Sequence, residues 1–173
     1  KANGVVLESH GLFTWGDTPK SCYETTIRII GRAMEWLADK TSGKAVFGGE
    51  SVKSLNDAAR REIAARLMPV IRGLISADEK KAGHFDDSTA VLEFVCSKRL
   101  EELAALGTSC PDHFLRTKIR PLVVDFDPAN PDTEATIAGL PQAVSDYRDG
   151  YAAYYDQCKH PNSPAMRDPN AVV

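Results

Sequence analysis

His10 stands where the apolar run Val5-Val6-Leu7 gives way to the polar stretch Ser9-His10-Gly11. A short apolar run of this kind reads as a buried strand, and the glycine-containing HGLFTWGD stretch after it as a loop that the strand delivers. An imidazole so placed can project into a cleft and ligate a metal. A catalytic zinc takes three protein ligands and keeps a position open for substrate, so one histidine does not make such a site. By residue type alone, a single loop histidine is ordinarily a hydrogen-bonding or surface residue. Glu8 lies two positions earlier, where strand alternation would put both side chains on one face. A carboxylate there can orient the imidazole from behind; an ordinary edge-strand glutamate fits the same pattern.

A second cluster, His113, Arg116 and Lys118, falls in the segment DHFLRTK. A guanidinium fork and an ammonium suit phosphate oxygens, although neither a glycine loop nor a third donor accompanies them. Arg60, Arg61, Arg66 and Arg72 recur on one side of a helical pattern, which is the signature of a solvated face. His84 reads as a turn residue beside Asp86 and Asp87, and His160, ahead of Pro161, as a surface residue.

The elements that must position these groups alternate between helical and apolar-strand patterns. Thr18 suits an N-cap and Pro19 the first helical position, opening a helix to about Lys40 with a wide apolar face that needs more than one neighbour. After a glycine-broken linker at 41–50, a second amphipathic helix spans about Asn56 to Ile75, kinked at Pro69. A polar stretch at 77–87 is the best internal boundary. Short helices follow from Ser88 and from Lys98, the latter closed by Gly107. Pro121 to Phe126 reads as a strand, Leu140-Pro141 as the opening of a last helix carrying a tyrosine-rich packing face, and Ala171 to Val173 as a further strand. The fold class this predicts is α/β, layered α/β/α about a central sheet. Both ends read as lying inside that sheet, so the chain is expected to be an excerpt of a longer protein.

With 173 residues, 43% of them hydrophobic, the chain can bury a core. A net charge of −3 gives no basic footprint for nucleic acid or an anionic membrane. Apolar runs are far short of a bilayer span. Four scattered cysteines, Cys22, Cys96, Cys110 and Cys158, form no C-x-x-C pair and predict reduced thiols in a cytoplasmic protein.

The segment VVLESHGLFTWGD, followed by a helix, resembles the third-ligand segment of the class II aldolase/adducin family, in which a strand ends in a histidine-glycine pair. The longer run HGLFTWGDTPKSCYETTIRIIGRAMEWL is similar to the aldolase portion of fused rhamnulose-1-phosphate aldolase/short-chain dehydrogenase proteins. So are GHFDDSTAVLEFVCSK, GTSCPDHFLRTKIRPLVVDFDP and HPNSPAMRDPNAVV. This resemblance implies that His10 is a zinc ligand, completed in the parent by an H-x-H pair that does not occur here. The general-base carboxylate is likewise expected upstream. It implies Zn2+ in the intact parent, no metal held firmly by this piece alone, a sugar-phosphate substrate, and self-association into homo-oligomers. The reaction implied is retro-aldol cleavage of a ketose phosphate to dihydroxyacetone phosphate and lactaldehyde. Residues 1–78 would be the C-terminal part of the zinc-aldolase half. Residues 79–173 would begin a following, diverged repeat or a connecting region, with Asp125 and Asp127 standing where H-x-H would fall. That pair suits either a hard cation or the capping of a turn. Adducin-type relatives keep the fold without zinc, which leaves a non-catalytic oligomerisation or scaffold domain as the alternative.

Overall fold

The computed structural model describes residues 2–8, 10–77, 79–108, 114 and 117–170. The chain opens with an antiparallel hairpin, β1 (Gly4–Leu7) and β2 (Gly11–Thr14), in the register Gly4↔Thr14, Val5↔Phe13, Val6↔Leu12 and Leu7↔Gly11. The expected loop at 11–14 is therefore a strand. Leu12 and Thr14 are half-buried and Phe13 exposed, the period-two alternation of a strand with one covered face. Nor is β1 buried as its apolar run suggested: Val6 is 69% exposed, and Val5 and Leu7 also lie open.

Helix α1 (Pro19–Thr41) begins as its sequence dictates. The Thr18 hydroxyl accepts from the Ser21 amide, and the Ser21 hydroxyl accepts from the Thr18 amide, each at 3.1 Å, so two otherwise orphaned donors are satisfied reciprocally. Its apolar face is wide, as expected, and among the described residues the hairpin, chiefly β2, packs upon it. Tyr23, Ile27, Ile30, Met34 and Leu37 remain exposed.

A short 3-10 turn at Val46–Gly48 ties the linker to the segment around Phe94 and Cys96. Phe47, in the left-handed region at φ 49°, packs its ring edge-on against Phe94 with centroids 5.3 Å apart. The Ser51 amide donates to the Cys96 carbonyl at 2.8 Å and the Lys98 amide to the Gly49 carbonyl at 3.0 Å. Helix α2 (Asp57–Ile75) starts where Asn56 caps the Ala59 amide, and contains Pro69. Its Arg60 side chain pairs with Asp87 at 3.0 Å and so pins the polar stretch ahead of α3 (Thr89–Val95). Helix α4 (Leu100–Leu106) ends at Gly107, with φ 76°. A Cβ at Gly107 would stand 1.8 Å from the Ile119 carbonyl oxygen, so glycine is required there by space as well as by conformation.

Among the described residues, 121–126 have no ladder partner, contrary to the strand expectation, and the segment lies against the last helix, where the Thr136 hydroxyl donates to the Asp125 carbonyl at 3.3 Å. That helix, α5 (Thr133–Cys158), begins seven residues before the expected Leu140-Pro141 start. Asp132 caps it through the Ala135 amide at 2.9 Å, and Pro141 is accommodated inside. Leu140 and Val144, each 1% exposed, form the core with Tyr147 and Ala104. The Tyr147 hydroxyl donates to the Arg120 carbonyl at 2.8 Å. Burial pushes its pKa up to about 12.

Helix α2 packs on α5, and Arg148 fastens them. Its guanidinium donates to the Leu74 carbonyl at 2.6 Å and to Asn170 Oδ1 at 2.6 and 3.0 Å. Among the described residues the strands are those of the hairpin, together with an isolated bridge between Glu50 and Ser97, so these residues form a helical body with a small sheet rather than layers about a central one. The strand expected at 171–173 lies outside the described residues. Among them no helix is long and apolar enough to cross a membrane. Cys22, Cys96 and Cys158 are free thiols.

Candidate functional site

The chain reverses direction between Leu7 and Gly11, and His10 sits in that reversal. Its amide donates to the Leu7 carbonyl at 3.1 Å, closing the turn, while Gly11 at φ 113° re-aims the backbone into β2. These local bonds hold the imidazole at the exposed tip of the hairpin, outside any apolar packing.

His10 Nδ1 lies 3.0 Å from the Glu8 carbonyl oxygen. A carbonyl accepts and never donates, so in this contact Nδ1 is the donor, and Nε2 is the ring nitrogen left to offer a lone pair to a metal. The contact runs to the Glu8 peptide oxygen rather than to its side chain. Glu8 and His10 belong to the turn and not to a strand, so alternation does not apply; the peptide oxygen of Glu8 makes the contact expected of its carboxylate. A peptide carbonyl serves equally well to fix the tautomer of a metal-binding histidine.

One such imidazole fits a zinc ion as a single donor. Among the described residues no three His, Cys, Asp or Glu side chains converge where they could hold a metal together. The base of the hairpin is held to α1 by Thr14, Cys22 and Thr26.

Of the second predicted cluster, His113 and Arg116 lie outside the described residues. Lys118 is described, and its ammonium donates to the Asp168 carbonyl and sits 4.7 Å from the centre of the Tyr151 ring. The Asp168 carboxylate pairs with Lys81 at 3.0 Å and accepts from the Asn170 amide at 2.9 Å. Lys118 thus joins a polar seam that fastens residues 168–170 to α5 and to the end of α2. Asp127 accepts from the Ala129 amide at 2.8 Å and from Asn130 Nδ2 at 3.0 Å. The Asn130 bond, with the Ala129 amide next, holds its carboxyl below the usual carboxylate range. Of the two roles open to Asp125 and Asp127, Asp127 performs the turn capping. His160 lies exposed in a turn closed by Ser163.

Residues 62–173 match the family model described as "Aldolase class II, second domain". His10 and its hairpin precede that stretch. A protein of Bacillus subtilis (strain 168), named "Uncharacterized oxidoreductase YuxG", is 38% identical over 151 residues, covering 87% of this chain and 22% of its own length. The chain thus spans less than a quarter of the curated relative it matches. No solved structure matches it. The length of the family match, reaching from within α2 to the last residue, places this chain in the class II aldolase family.

Proposed function

We propose that this chain is part of a zinc-dependent sugar-phosphate aldolase, and that His10 supplies one of its metal ligands through Nε2. The observation that carries the proposal is the Nδ1 contact with the Glu8 carbonyl, which occupies that nitrogen and leaves Nε2 of an exposed ring as the one available to a metal. Two further histidines and a general-base carboxylate come from the rest of the parent protein, so the isolated chain is inactive. Zinc, when bound, supplies a Lewis acid for the ketose oxygens. This chain's contribution is geometric: the Glu8 carbonyl keeps the proton on Nδ1, and the turn holds the ring at the tip of a strand pair. The hairpin would be one margin of a central sheet, layered α/β/α, completed by the parent.

The substrate proposed is a rhamnulose-1-phosphate-like ketose phosphate, cleaved to dihydroxyacetone phosphate and lactaldehyde. An aldolase match in this chain beside an oxidoreductase name on a much longer relative supports a parent in which a dehydrogenase portion processes the aldehyde. His113, Arg116 and Lys118 remain proposed phosphate contacts, with Lys118 reaching a phosphate only by leaving Asp168. Self-association into a homo-oligomer is proposed with them.

The test is the cleavage assay on the parent protein, following dihydroxyacetone phosphate release. His10→Ala abolishes it if His10 is a ligand; unchanged turnover contradicts the proposal. The second reading, a non-catalytic adducin-like oligomerisation or scaffold domain, is favoured by the open apolar stripe of α1, where Tyr23 is 66% and Met34 65% exposed. A parent that assembles normally and lacks all aldolase activity would decide for it.

A further inference from the structure

We infer that Thr14 is a positioning residue for His10: its hydroxyl, bonded to that of Thr26, latches the base of the hairpin to α1. The functional meaning rests on His10 being a metal ligand; the latch itself rests on geometry alone.

A two-stranded hairpin is marginal by itself in water, and this one leaves Val5, Val6, Leu7 and Phe13 exposed. Its orientation must therefore come from where it touches α1, and the polar contacts there converge on Thr14. Thr14 Oγ1 lies 2.6 Å from Thr26 Oγ1. The Thr26 hydroxyl has one proton and donates it to the Cys22 carbonyl one turn back, at 3.1 Å. With that proton so used, Thr14 donates to Thr26 at 2.6 Å and, more weakly, toward the same Cys22 carbonyl at 3.4 Å. Cys22 returns a weaker bond, Sγ to the Thr14 carbonyl at 3.4 Å.

Across the ladder, Gly4 pairs with Thr14, and a Cβ there would stand 2.9 Å from the Phe13 carbonyl oxygen and 3.3 Å from Ile29 Cδ1. The bare glycine lets the strand pair settle against the helix at the level of the hydroxyl bond. From Thr14 the strand runs back to Gly11 and into His10, a lever of about 14 Å at strand rise. Apolar contact alone would tolerate a tilt of that lever, whereas a directional hydroxyl bond does not.

The test uses this chain without metal. Thr14→Val keeps the side-chain shape and removes the donor; Thr14→Ser keeps the donor. Two readouts are taken at pH 8: amide hydrogen exchange over residues 11–14, and the nitrogen chemical shifts of the His10 ring. Thr14→Val is expected to speed hairpin exchange about five- to tenfold, the effect of one hydrogen bond. It should also move the ring shifts away from the Nδ1-protonated pattern while exchange within α1 stays unchanged, and Thr14→Ser should restore both. Unchanged ring shifts in Thr14→Val, a serine variant as disturbed as the valine, or equal loss of protection throughout α1 would each overturn it. A parent protein that keeps its zinc in His10→Ala would instead defeat the metal role and leave the latch standing.

Discussion

His10 Nδ1 and the Glu8 carbonyl oxygen, 3.0 Å apart across the hairpin turn, fix which nitrogen of the ring can reach outward. Because the acceptor is a peptide oxygen, the Glu8 side chain is dispensable to it. Glu8→Gln in the parent should leave zinc affinity within about twofold of the unaltered protein, measured by competition with a chelating dye. A carboxylate that oriented the ring would instead cost roughly 10- to 100-fold in metal affinity on removal.

Leu140 is the centre of the α5 packing and is 1% exposed. Leu140→Ala should destabilise the chain by about 2–5 kcal/mol, the transfer term of the lost methyls plus the cavity they leave. Urea unfolding followed by circular dichroism would measure it, with the midpoint falling at unchanged slope. A loss below about 1 kcal/mol would mean that the helix is not seated on this side chain.

Tyr147 makes stability depend on alkaline pH. Burial raises its folded pKa from 10.0 to about 12, so the folded state favours the protonated phenol. That contribution is whole below pH 10, the unfolded value, and is lost as pH rises from 10 to about 12. The loss amounts to roughly 3 kcal/mol, each tenfold change in proton affinity being worth about 1.4 kcal/mol. In Tyr147→Phe the alkaline slope attributable to this group should vanish, at a cost of about 1 kcal/mol near neutrality from the bond to the Arg120 carbonyl. Unfolding midpoints at pH 8, 10 and 11 for both proteins would check the sign.

What could be read from the sequence was local. Thr18 with Pro19, Asn56 and Gly107 announce helix ends through their own side chains or their lack of one, and each stands where expected. Leu140-Pro141 misled because proline favours the first helical turn, whereas Asp132 caps the helix earlier and Pro141 is absorbed within it. The hairpin was half legible: Val5 to Leu7 is strand, but the partner strand began at a glycine and followed polar residues, which resemble a loop. His10 was conspicuous in the sequence, as an imidazole at a strand end. Its partner atom was not, since every residue carries a carbonyl and only the folded turn selects one. The bond between Thr14 and Thr26 has no signal in the sequence until a strand and a helix bring the two hydroxyls together.

Zinc stoichiometry in the purified parent protein, by elemental analysis after exhaustive dialysis, bears most directly on His10 as a metal ligand. Near one zinc per chain in the unaltered protein, falling to a small fraction in His10→Ala with folding intact by circular dichroism, is the expected result. Equal zinc in the two proteins would contradict it.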